Sequence, residues 1–590
     1  MSTSLRKLPA FLGAAAMLAN LSAPAMAFGF PFQPPPGETA TPIKHLVVIY
    51  DENVSFDHYF GTYPHASNLS GEPPFYPAPY TPKVNNLSEA LLTNNPNFTN
   101  PANAAGASNP FRLDRSQAAT EDQDHNYTPE QLAFDHGAMD LFPEYTGTGT
   151  SGGAGAFGTT GQVMGYYDGN TVTALWNYAQ HFAMSDDAYG SSFGPSTPGA
   201  LEAVSGQTDG FTAEGTGSLK TSAFIPDSQG GYTDIGDIDP AFDVCTLGPN
   251  TGSDQYGTGD NTTEMMQMAG KNIGDLLNAR NISWGAFMGG FDLSVTNANG
   301  STACDRTTKS NVTGVTEQDY IPHHAWFQYY PSTANPTHAR PSSIWAIGHT
   351  KDANGQPDPA NHEYDVNDFF AAVAAGNFPA VAYLKAPGYQ DGHAGYSDPL
   401  DEQTWIVQVV NFIEKQPEWK NTAIIIDWDD SDGWYDHSFV TPTNPSYSDQ
   451  LLSVTANGTT VTKTSVAADE LTASSDCGTG IPLDGLNGQA VYGRCGPGPR
   501  LPFMVISPYA KPNYVSHTLI TQSSIIRFIE DNWLHGERLG DGSFDATAGS
   551  IMDMFDFNTR FLDPPLFLDE DTGEPVDHPG PFPVLAFDGR

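Results

Sequence analysis

The sequence predicts an α/β fold in which helices cover both faces of a mostly parallel central sheet. The first observation is a set of short apolar runs, rich in β-formers, at residues 46–50, 380–384, 423–426 and 503–506. Such runs are typical of strands buried on both faces. The second observation is that helical patterns lie between them, and strands alternating with helices favour a parallel sheet.

Two stretches have the spacing of amphipathic helices. Their apolar residues recur at every fourth position, which places them on one helical face. They are Trp405, Ile406, Val409, Val410 and Ile413 in the first stretch, and Ile525, Ile529 and Trp533 in the second. Thr521 is a candidate N-cap for the second helix. In folds of this class, functional sites form beyond the carboxyl ends of the strands.

The first 27 residues predict a secretory signal peptide. Arg6 and Lys7 precede an apolar run at 8–21, and the sequence AMA at 25–27 fits cleavage after Ala27. A membrane anchor is the alternative, but the run is short and Pro9 interrupts it. No later stretch has the roughly 20 uninterrupted apolar residues of a spanning helix. We expect an exported bacterial protein, periplasmic or secreted, without an integral membrane segment after cleavage.

Residues 28–590 are expected to form a single domain with loop-rich insertions near 205–320 and 440–500. The insertions are rich in Gly, Ser and Thr and have little periodicity. Four cysteines lie in them: Cys245, Cys304, Cys477 and Cys495. An even number in an exported protein predicts two disulfides that staple loops. Pairing in sequence order is the simplest of the three connectivities.

The net charge of −44 limits the partners of the chain. Such a field repels nucleic acid and anionic membranes, so we expect no nucleic-acid partner. An anionic substrate needs local compensation from a metal ion or from protonated histidines. The sequence does not define an oligomeric state.

Two predicted strands end in oxygen-bearing side chains. Residues 46–50 run into the sequence DEN, and residues 423–426 run into DWDDSD. If these strands are neighbours, their carboxylates converge on one cation, because packing them together without one is costly. The residues that would converge are Glu52, Asn53, Asp429 and Asp430. An EF-hand is excluded by the positions of Gly433 and Ser438.

Two hydroxyls lie at a predicted helix start. Ser196 and Thr197 follow the sequence GP, and Pro198 suits the first turn of a helix. A hydroxyl there is flanked by free N–H groups and the positive end of the helix dipole, which suits a phosphate. A helix cap without catalytic function is the alternative, unless a metal lies nearby.

Four histidines lie in loops, where functional side chains concentrate. They are His125, His323, His324 and His393. None has the i, i+4 spacing of a zinc-binding helix, so we do not assign them as the main metal ligands. Protonated imidazoles would supply the positive charge that a phosphoryl group requires in such an acidic chain.

Taken in order, these motifs resemble the bacterial phosphoesterase family that joins acid phosphatase A with phosphocholine-type phospholipases C. The matching stretches are IKHLVVIYDENVSFDHYFGTYP, MGYYDG, FGPSTPGAL, YIPHHAWFQYY, YLKAPGYQDGHAGYSDPLDEQ, DWDDSDGWYDH, GPRLPFMVISPYAK and SSIIRFIEDNW. They extend over nearly the whole chain after residue 27. The run DWDDSDGWYDH, the double histidine and Pro198-Gly199 are more similar to the acid phosphatase branch.

The resemblance implies an alkaline phosphatase-like α/β fold and hydrolysis of phosphate esters. It implies one metal held by the positions of Glu52, Asn53, Asp429 and Asp430, with Ser196 as nucleophile and further ligand. It also implies that four histidines line the phosphoryl pocket: His125, His323, His324 and His393. His125 and His393 are both candidates for the general acid.

The resulting expectation is an exported, metal-dependent acid phosphatase that hydrolyses phosphate monoesters through a phosphoserine. One alternative is a phospholipase C that cleaves phosphodiester head groups, with a phospholipid as substrate. An alternative of another class is an exported metal-binding protein without catalytic activity. The sequence leaves the divalent cation open among calcium, magnesium, manganese, zinc and iron.

Overall fold

The computed structural model describes residues 39–149, 155–214, 223–226, 231–247, 265–447, 453–456, 459–462, 477–558 and 564–580. The predicted signal peptide at residues 1–27 lies outside these ranges. No helix among the described residues has the length and apolar character needed to cross a bilayer.

An eight-stranded sheet forms the centre of the molecule and contains all four predicted strands. Its strands are β1 (His45–Asp51), β2 (Ala183–Ser185), β3 (Trp284–Met288), β4 (Glu363–Asp365), β5 (Val381–Lys385), β6 (Thr422–Trp428), β7 (Phe503–Ile506) and β8 (Tyr514–Ser516). The order across the sheet is β4-β3-β5-β1-β6-β7-β2-β8. Only β7 runs antiparallel to its neighbours, so the prediction of a mostly parallel α/β sheet is confirmed.

The long strands at the centre are buried along almost their whole length. β6 is buried at every residue, and β1 at every residue after His45. This burial accounts for the continuous apolar runs, because both faces of a central strand contact other elements. β1 lies between β5 and β6 and pairs with both in parallel. The strand ends predicted to carry the site are therefore central in the sheet.

Twelve α-helices occur among the described residues. They are α1 (Phe56–Phe60), α2 (Glu89–Thr93), α3 (Pro96–Thr99), α4 (Tyr127–Phe134), α5 (Phe142–Tyr145), α6 (Thr173–His181), α7 (Ser196–Val204), α8 (Val244–Leu247), α9 (Ile273–Ala279), α10 (Val366–Ala374), α11 (Pro399–Glu414) and α12 (Ser523–Trp533). Short 3₁₀ helices lie at Pro101–Gly106, Arg115–Gln117, Asp135–Gly137, Gly155–Gly158, Thr160–Met164, Ala303–Asp305, Pro322–His324, Gly388–Gln390, Pro417–Asn421, Phe544–Ala546 and Ile551–Met554.

Helices α11 and α12 are the two helices predicted from apolar spacing. The predicted stripe residues are buried in both. α11 begins where Asp398 accepts hydrogen bonds from the Leu400 and Asp401 N–H groups, which satisfies donors that a helix start leaves open. The prediction of Thr521 as the N-cap of α12 is wrong. Thr521 is still in extended backbone, paired with Tyr189, and the helix begins two residues later.

The loop-rich insertion expected near residues 205–320 contains a second sheet among its described residues. Its order is Phe224–Pro226, Tyr232–Asp234, Asp209–Glu214, Met265–Met268 and Asp239–Pro240. These strands have two to six residues, too few for a clear alternation of apolar and polar side chains. Further two-stranded pairs are Phe111–Leu113 with Gly165–Tyr167, Ala188–Tyr189 with Ile520–Thr521, Thr307–Lys309 with Thr316–Gln318, and Ser453–Ala456 with Thr459–Thr462.

Both predicted disulfides are present, paired in sequence order. Cys245 bonds Cys304 across 59 residues, and Cys477 bonds Cys495 across 18 residues. Each bond joins two segments within one of the regions predicted as insertions. Closing such loops restricts the unfolded chain and so favours the folded state.

Candidate active site

The two acidic strand ends lie side by side. β1 and β6 are parallel neighbours with Asp51 opposite Trp428, so both following segments leave the sheet at the same edge. The Asp429 N–H donates to the Asp51 carbonyl at 3.2 Å, and the Asn53 N–H donates to Asp429 Oδ1 at 3.0 Å. We name Glu52, Asn53, Asp429 and Asp430 the strand-end cluster. The structure brings these four residues together, as the sequence predicts.

Ser196 lies within hydrogen-bond reach of this cluster. Its Oγ donates to Glu52 Oε2 at 3.0 Å and lies 3.3 Å from Asp430 Oδ2. Ser196 is the first residue of α7, as expected from the sequence. The helix approaches β6 closely at Gly199, where an added Cβ would lie 2.1 Å from the Asp429 carbonyl oxygen. Glycine at that position therefore allows the hydroxyl to reach the carboxylates.

The strand-end cluster contains buried oxygens that lack hydrogen-bond donors. Within the described residues, Asn53 Oδ1 and Asp429 Oδ2 have no such partner, and neither oxygen of the adjacent Asp51 has one. Asn53 has a left-handed backbone with φ of 62°, a conformation that Asn tolerates better than most residues. Unpaired buried acceptors are costly. A hard cation prefers oxygen ligands, so this donor set fits a divalent cation.

Lys385 is a site residue that the sequence interpretation did not identify. It is the last residue of β5 and only 2 % exposed, and its Nζ donates to Glu52 Oε1. Carboxylates of Asp429, Asp391 and Asp51 act on it electrostatically and oppose the lowering of its pKa by burial. Lys385 directly follows the predicted strand at residues 380–384. A charged residue at the end of an apolar run is the sequence signal that could have identified it.

His324 contacts the oxygen of Glu52 that Lys385 also contacts. Its Nδ1 lies 3.1 Å from Glu52 Oε1, and the side chain is 2 % exposed. Burial lowers the pKa of His324 well below its ordinary value, and the nearby His323 and His393 add to this effect. A neutral imidazole that donates from Nδ1 is therefore the form that fits beside Glu52.

His125 lies next to Asn53. Its Nε2 is 3.5 Å from Asn53 Nδ2, and its Nδ1 is 3.4 Å from Asp432 Oδ1. Burial alone would lower the pKa of His125, but the carboxylates of Asp430, Asp122 and Asp432 outweigh it and raise that pKa well above its ordinary value. His125 is half-buried, with 11 % of its side chain exposed, and its acidic neighbours favour the imidazolium form.

The other two predicted histidines lie next to these. The ring of His393 is 5.9 Å from that of His125, and its Nδ1 lies 2.6 Å from the Ala394 carbonyl oxygen. Burial lowers the pKa of His393. The ring of His323 is 4.4 Å from that of His324, and its Nδ1 is 3.7 Å from Asp239 Oδ1. The four histidines are therefore linked pairwise beside the strand-end cluster.

Three other groups of potential metal ligands occur among the described residues. In each, the ligand atoms lie within 4.8 Å of one another: Asp122, His125 and His393; Asp243, Cys245 and His338; and Asp57, Asp436 and His437. Cys245 is in a disulfide and offers no thiolate. The strand-end cluster is not one of these groups; beside its carboxylates it offers the Asn53 amide oxygen, and the Ser196 hydroxyl adds a further oxygen.

The group containing Asp57 is already neutralised by an arginine. Arg500 Nη2 lies 3.1 Å from Asp57 Oδ1, and Arg500 Nε lies 3.1 Å from Asp436 Oδ2. His437 Nδ1 is 2.6 Å from Asp57 Oδ2. We name Asp57, Asp436, His437 and Arg500 the arginine cluster. Its guanidinium and imidazole therefore pair with the carboxylates that a metal would otherwise need.

Comparisons with known proteins place this chain in a family. Residues 43–534 match the Phosphoesterase family. A protein named Phospholipase C A from Mycobacterium tuberculosis is 23 % identical over 524 residues, covering 87 % of this chain and 78 % of that protein. The family match at residues 43–534 therefore includes both strand ends, Ser196 and all four predicted histidines.

Two relatives from Pseudomonas aeruginosa are also 23 % identical. They are a non-hemolytic phospholipase C, covering 83 % of this chain and 54 % of that protein, and a hemolytic phospholipase C, covering 88 % and 56 %. The chain thus spans little more than half the length of these two relatives.

A comparison with solved structures adds no argument about fold. One chain, from work on glycosaminoglycan metabolism by Bacteroides thetaiotaomicron, covers 67 % of this chain and 72 % of its own length at 12 % identity and a TM-score of 0.24. The alkaline phosphatase-like topology stays a prediction. The family match over residues 43–534 is what carries identity: the chain belongs to the Phosphoesterase family and is a hydrolase of phosphate ester bonds.

Proposed function

We propose that this chain is an exported, metal-dependent phosphoesterase that transfers the phosphoryl group of its substrate to Ser196. The observation that carries the proposal is the position of the Ser196 hydroxyl, 3.0 Å from Glu52 Oε2 and 3.3 Å from Asp430 Oδ2. A nucleophilic hydroxyl needs a nearby group that accepts its proton or polarises it. Both carboxylates belong to the strand-end cluster, whose unpaired oxygens fit a cation.

The strand-end cluster and Ser196 would hold one divalent cation. A cation bound there would stabilise charge on a phosphoryl oxygen and favour ionisation of the serine, contributions worth several kcal/mol. Oxygen-only ligands favour calcium, magnesium or manganese over softer metals. Zinc and iron also bind oxygen ligands. Elemental analysis distinguishes all five metals.

The protein groups then divide the chemistry between them. The Ser196 proton moves to a carboxylate as Oγ bonds to phosphorus, and the ester oxygen leaves with the bonding electron pair. His125 donates a proton to that oxygen, so an alcohol is released and a phosphoserine remains. Water then attacks the phosphoserine and neutral His125 accepts its proton, while the carboxylate returns its proton to Ser196 Oγ as the bond to phosphorus breaks. The products are inorganic phosphate or a phosphate monoester and the restored hydroxyl.

The two candidate acids have different electrostatic surroundings. Carboxylates raise the pKa of His125, whereas burial lowers the pKa of His393. Groups whose surroundings move their pKa values apart take the acid and base roles. We therefore assign the general acid to His125, and a hydrogen bond to the phosphoryl oxygens to His393.

A phosphate monoester is the substrate class we propose first. The support is the resemblance of DWDDSDGWYDH and Pro198-Gly199 to the acid phosphatase branch. A monoester carries up to two negative charges, and a protonated His125 together with the bound cation would offset them.

A phospholipase C is the second candidate, supported by two observations. The relatives named above are phospholipases C. In addition, carboxylates lie beside the histidines: Asp122 is 3.4 Å from His125, Asp239 is 3.7 Å from His323, and both side chains are partly exposed. Such a rim favours a substrate whose phosphoryl group carries a cationic head, as some phospholipids have.

The first experiment tests the nucleophile. Ser196→Ala is expected to lower kcat on nitrophenyl phosphate by about 10³-fold or more, while elemental analysis finds the metal retained. Thr197→Val is the matched control, because it removes the neighbouring hydroxyl. Acid quenching of the wild type during turnover should trap a phosphoserine detectable by mass spectrometry. Full activity of Ser196→Ala would transfer the role to Thr197 or to a water molecule.

The same assay separates the two substrate classes. Wild-type kcat/KM for nitrophenyl phosphate is compared with that for the phosphocholine diester of nitrophenol. A higher value for the monoester supports the acid phosphatase, and a higher value for the diester supports the phospholipase C. Hydrolysis of neither ester, with metal bound, would contradict the proposal as a whole.

Export is proposed on separate grounds. Two disulfides form among the described residues, and such bonds persist in oxidising compartments. Their presence is compatible with the signal peptide expected from the sequence.

A further inference from the structure

The helix that follows His125 makes a buried connection between the two loops of the candidate site. α4 (Tyr127–Phe134) begins two residues after His125. Glu130, in its first turn, is 1 % exposed. Its Oε1 accepts from Ser431 Oγ at 2.7 Å, and its Oε2 accepts from the Gly194 N–H at 3.2 Å. One carboxyl group therefore contacts the loop of the nucleophile and the loop of the cation ligands.

Both partners of Glu130 lie within two residues of proposed reacting groups. Ser431 follows Asp430, and its Oγ also accepts from the Gly433 N–H at 3.0 Å. Gly194 precedes Ser196 by two residues and has a φ of 120°, which a residue with a side chain rarely adopts. Glu130 thus holds a turn in each loop, and the two turns determine the separation of Ser196 Oγ from Asp430.

We propose that Glu130 is a positioning residue that sets the nucleophile of the Ser196 loop against the carboxylates of the strand-end cluster. It does not touch the reacting atoms and acts through Ser431 and Gly194. A misplacement of about 1 Å at a reacting centre can cost about 100-fold in rate. The inference rests on the proposed function, since it assumes that Ser196 is the nucleophile.

The test compares two substitutions of Glu130. Glu130→Gln keeps both bonds, because the amide nitrogen can donate to Ser431 Oγ and the amide oxygen can accept from the Gly194 N–H. Glu130→Leu removes both. We expect Glu130→Leu to lower kcat by about 10-fold to 100-fold with KM within about threefold. Glu130→Gln should restore kcat to within about threefold of wild type.

Gln131→Leu is the matched control on the same helix. Gln131 is also 1 % exposed, and its Nε2 donates to the Tyr127 carbonyl of its own helix at 2.7 Å. The kcat of this variant should stay within about threefold of wild type. All rates are measured per metal-loaded, folded enzyme, so a loss of stability alone does not change them.

Three results would overturn the inference. They are an unchanged kcat in Glu130→Leu, an equal loss in Glu130→Gln, and an equal loss in Gln131→Leu. If Glu130→Leu does not fold, Ser431→Ala removes one of the two bonds, and an unchanged kcat in that variant is equally decisive. Hydrolysis by the wild type is established first, so an inactive wild type counts against the proposed function and not against Glu130.

Discussion

The strand-end cluster and the arginine cluster are neighbours that differ in how their charges are balanced. In both clusters the carboxylates follow β1 and β6 in the chain, and in both they are buried. In the arginine cluster, a guanidinium and an imidazole contact the two carboxylates at 2.6–3.1 Å. In the strand-end cluster, described oxygens of Asn53 and Asp429 lack a donor. The difference teaches that a group of buried carboxylates does not by itself indicate a cation site. Buried oxygens that lack a donor do indicate one.

The largest expected effect breaks the strand-end cluster. Asp429→Ala and Asp430→Ala should each lose the bound metal and at least about 100-fold in kcat, because each removes a proposed ligand. Elemental analysis and nitrophenyl phosphate turnover measure the two losses together. Asp436→Asn, in the arginine cluster, is the control. This variant should keep the metal bound in the strand-end cluster. An active, metal-free Asp429→Ala would refute the cation site.

The next effect breaks the arginine cluster. Arg500 is fully buried between Asp57 and Asp436, so Arg500→Met leaves two carboxylates without their cation. Removing one partner of a buried pair destabilises proteins by about 3–5 kcal/mol. Urea unfolding followed by tryptophan fluorescence measures this loss.

An exposed arginine provides the control for Arg500. Arg280 pairs with Glu537 at 2.6 Å with 54 % of its side chain exposed, and Arg280→Met should cost no more than about 1 kcal/mol. Equal losses in the two variants would contradict the importance of burial. Loss of metal from folded Arg500→Met would contradict the separation of the two clusters.

The smallest effect is a pH dependence in the arginine cluster. Burial alone would lower the pKa of His437, but Asp57 outweighs it and raises that pKa. A raised pKa stabilises the fold fully below about pH 6.5, where the unfolded histidine is protonated, and the contribution is lost as pH rises through the folded pKa. His437→Gln should therefore destabilise the protein more at pH 5.5 than at pH 8.5.

Unfolding free energies at both pH values measure this difference. His136→Gln, at a histidine whose side chain is 49 % exposed, is the control and should show a smaller change between them. The opposite sign for His437→Gln, with a greater loss at pH 8.5, would show that His437 is neutral in the folded protein.

The central strands β1, β5, β6 and β7 could be predicted from sequence because each is a continuous apolar run. The predicted bounds of β1, β5, β6 and β7 lie within two residues of those observed. The strands β2, β3, β4 and β8 were not predicted. They have three to five residues, and their pairing with distant partners determines them more than their own composition does.

The candidate site was predictable where chemistry is concentrated in one motif. Glu52, Asn53, Asp429, Asp430 and Ser196 each lie at the end of a strand or the start of a helix, and such positions are visible in sequence. Lys385 and Glu130 were not identified: Lys385 stands in the sequence only as a charged residue after an apolar run, and Glu130 lies inside a short helix. Neither residue belongs to a local pattern that indicates its partners.

The burial of Asn53 has a consequence for producing the protein. The sequence NVS at 53–55 is a glycosylation acceptor, and Asn53 is only 1 % exposed in the folded chain. A eukaryotic secretory pathway attaches oligosaccharides to nascent chains before they fold. A sugar on Asn53 could not be accommodated beside Asp429 and Asp432, so the chain is suited to expression in hosts that lack this modification.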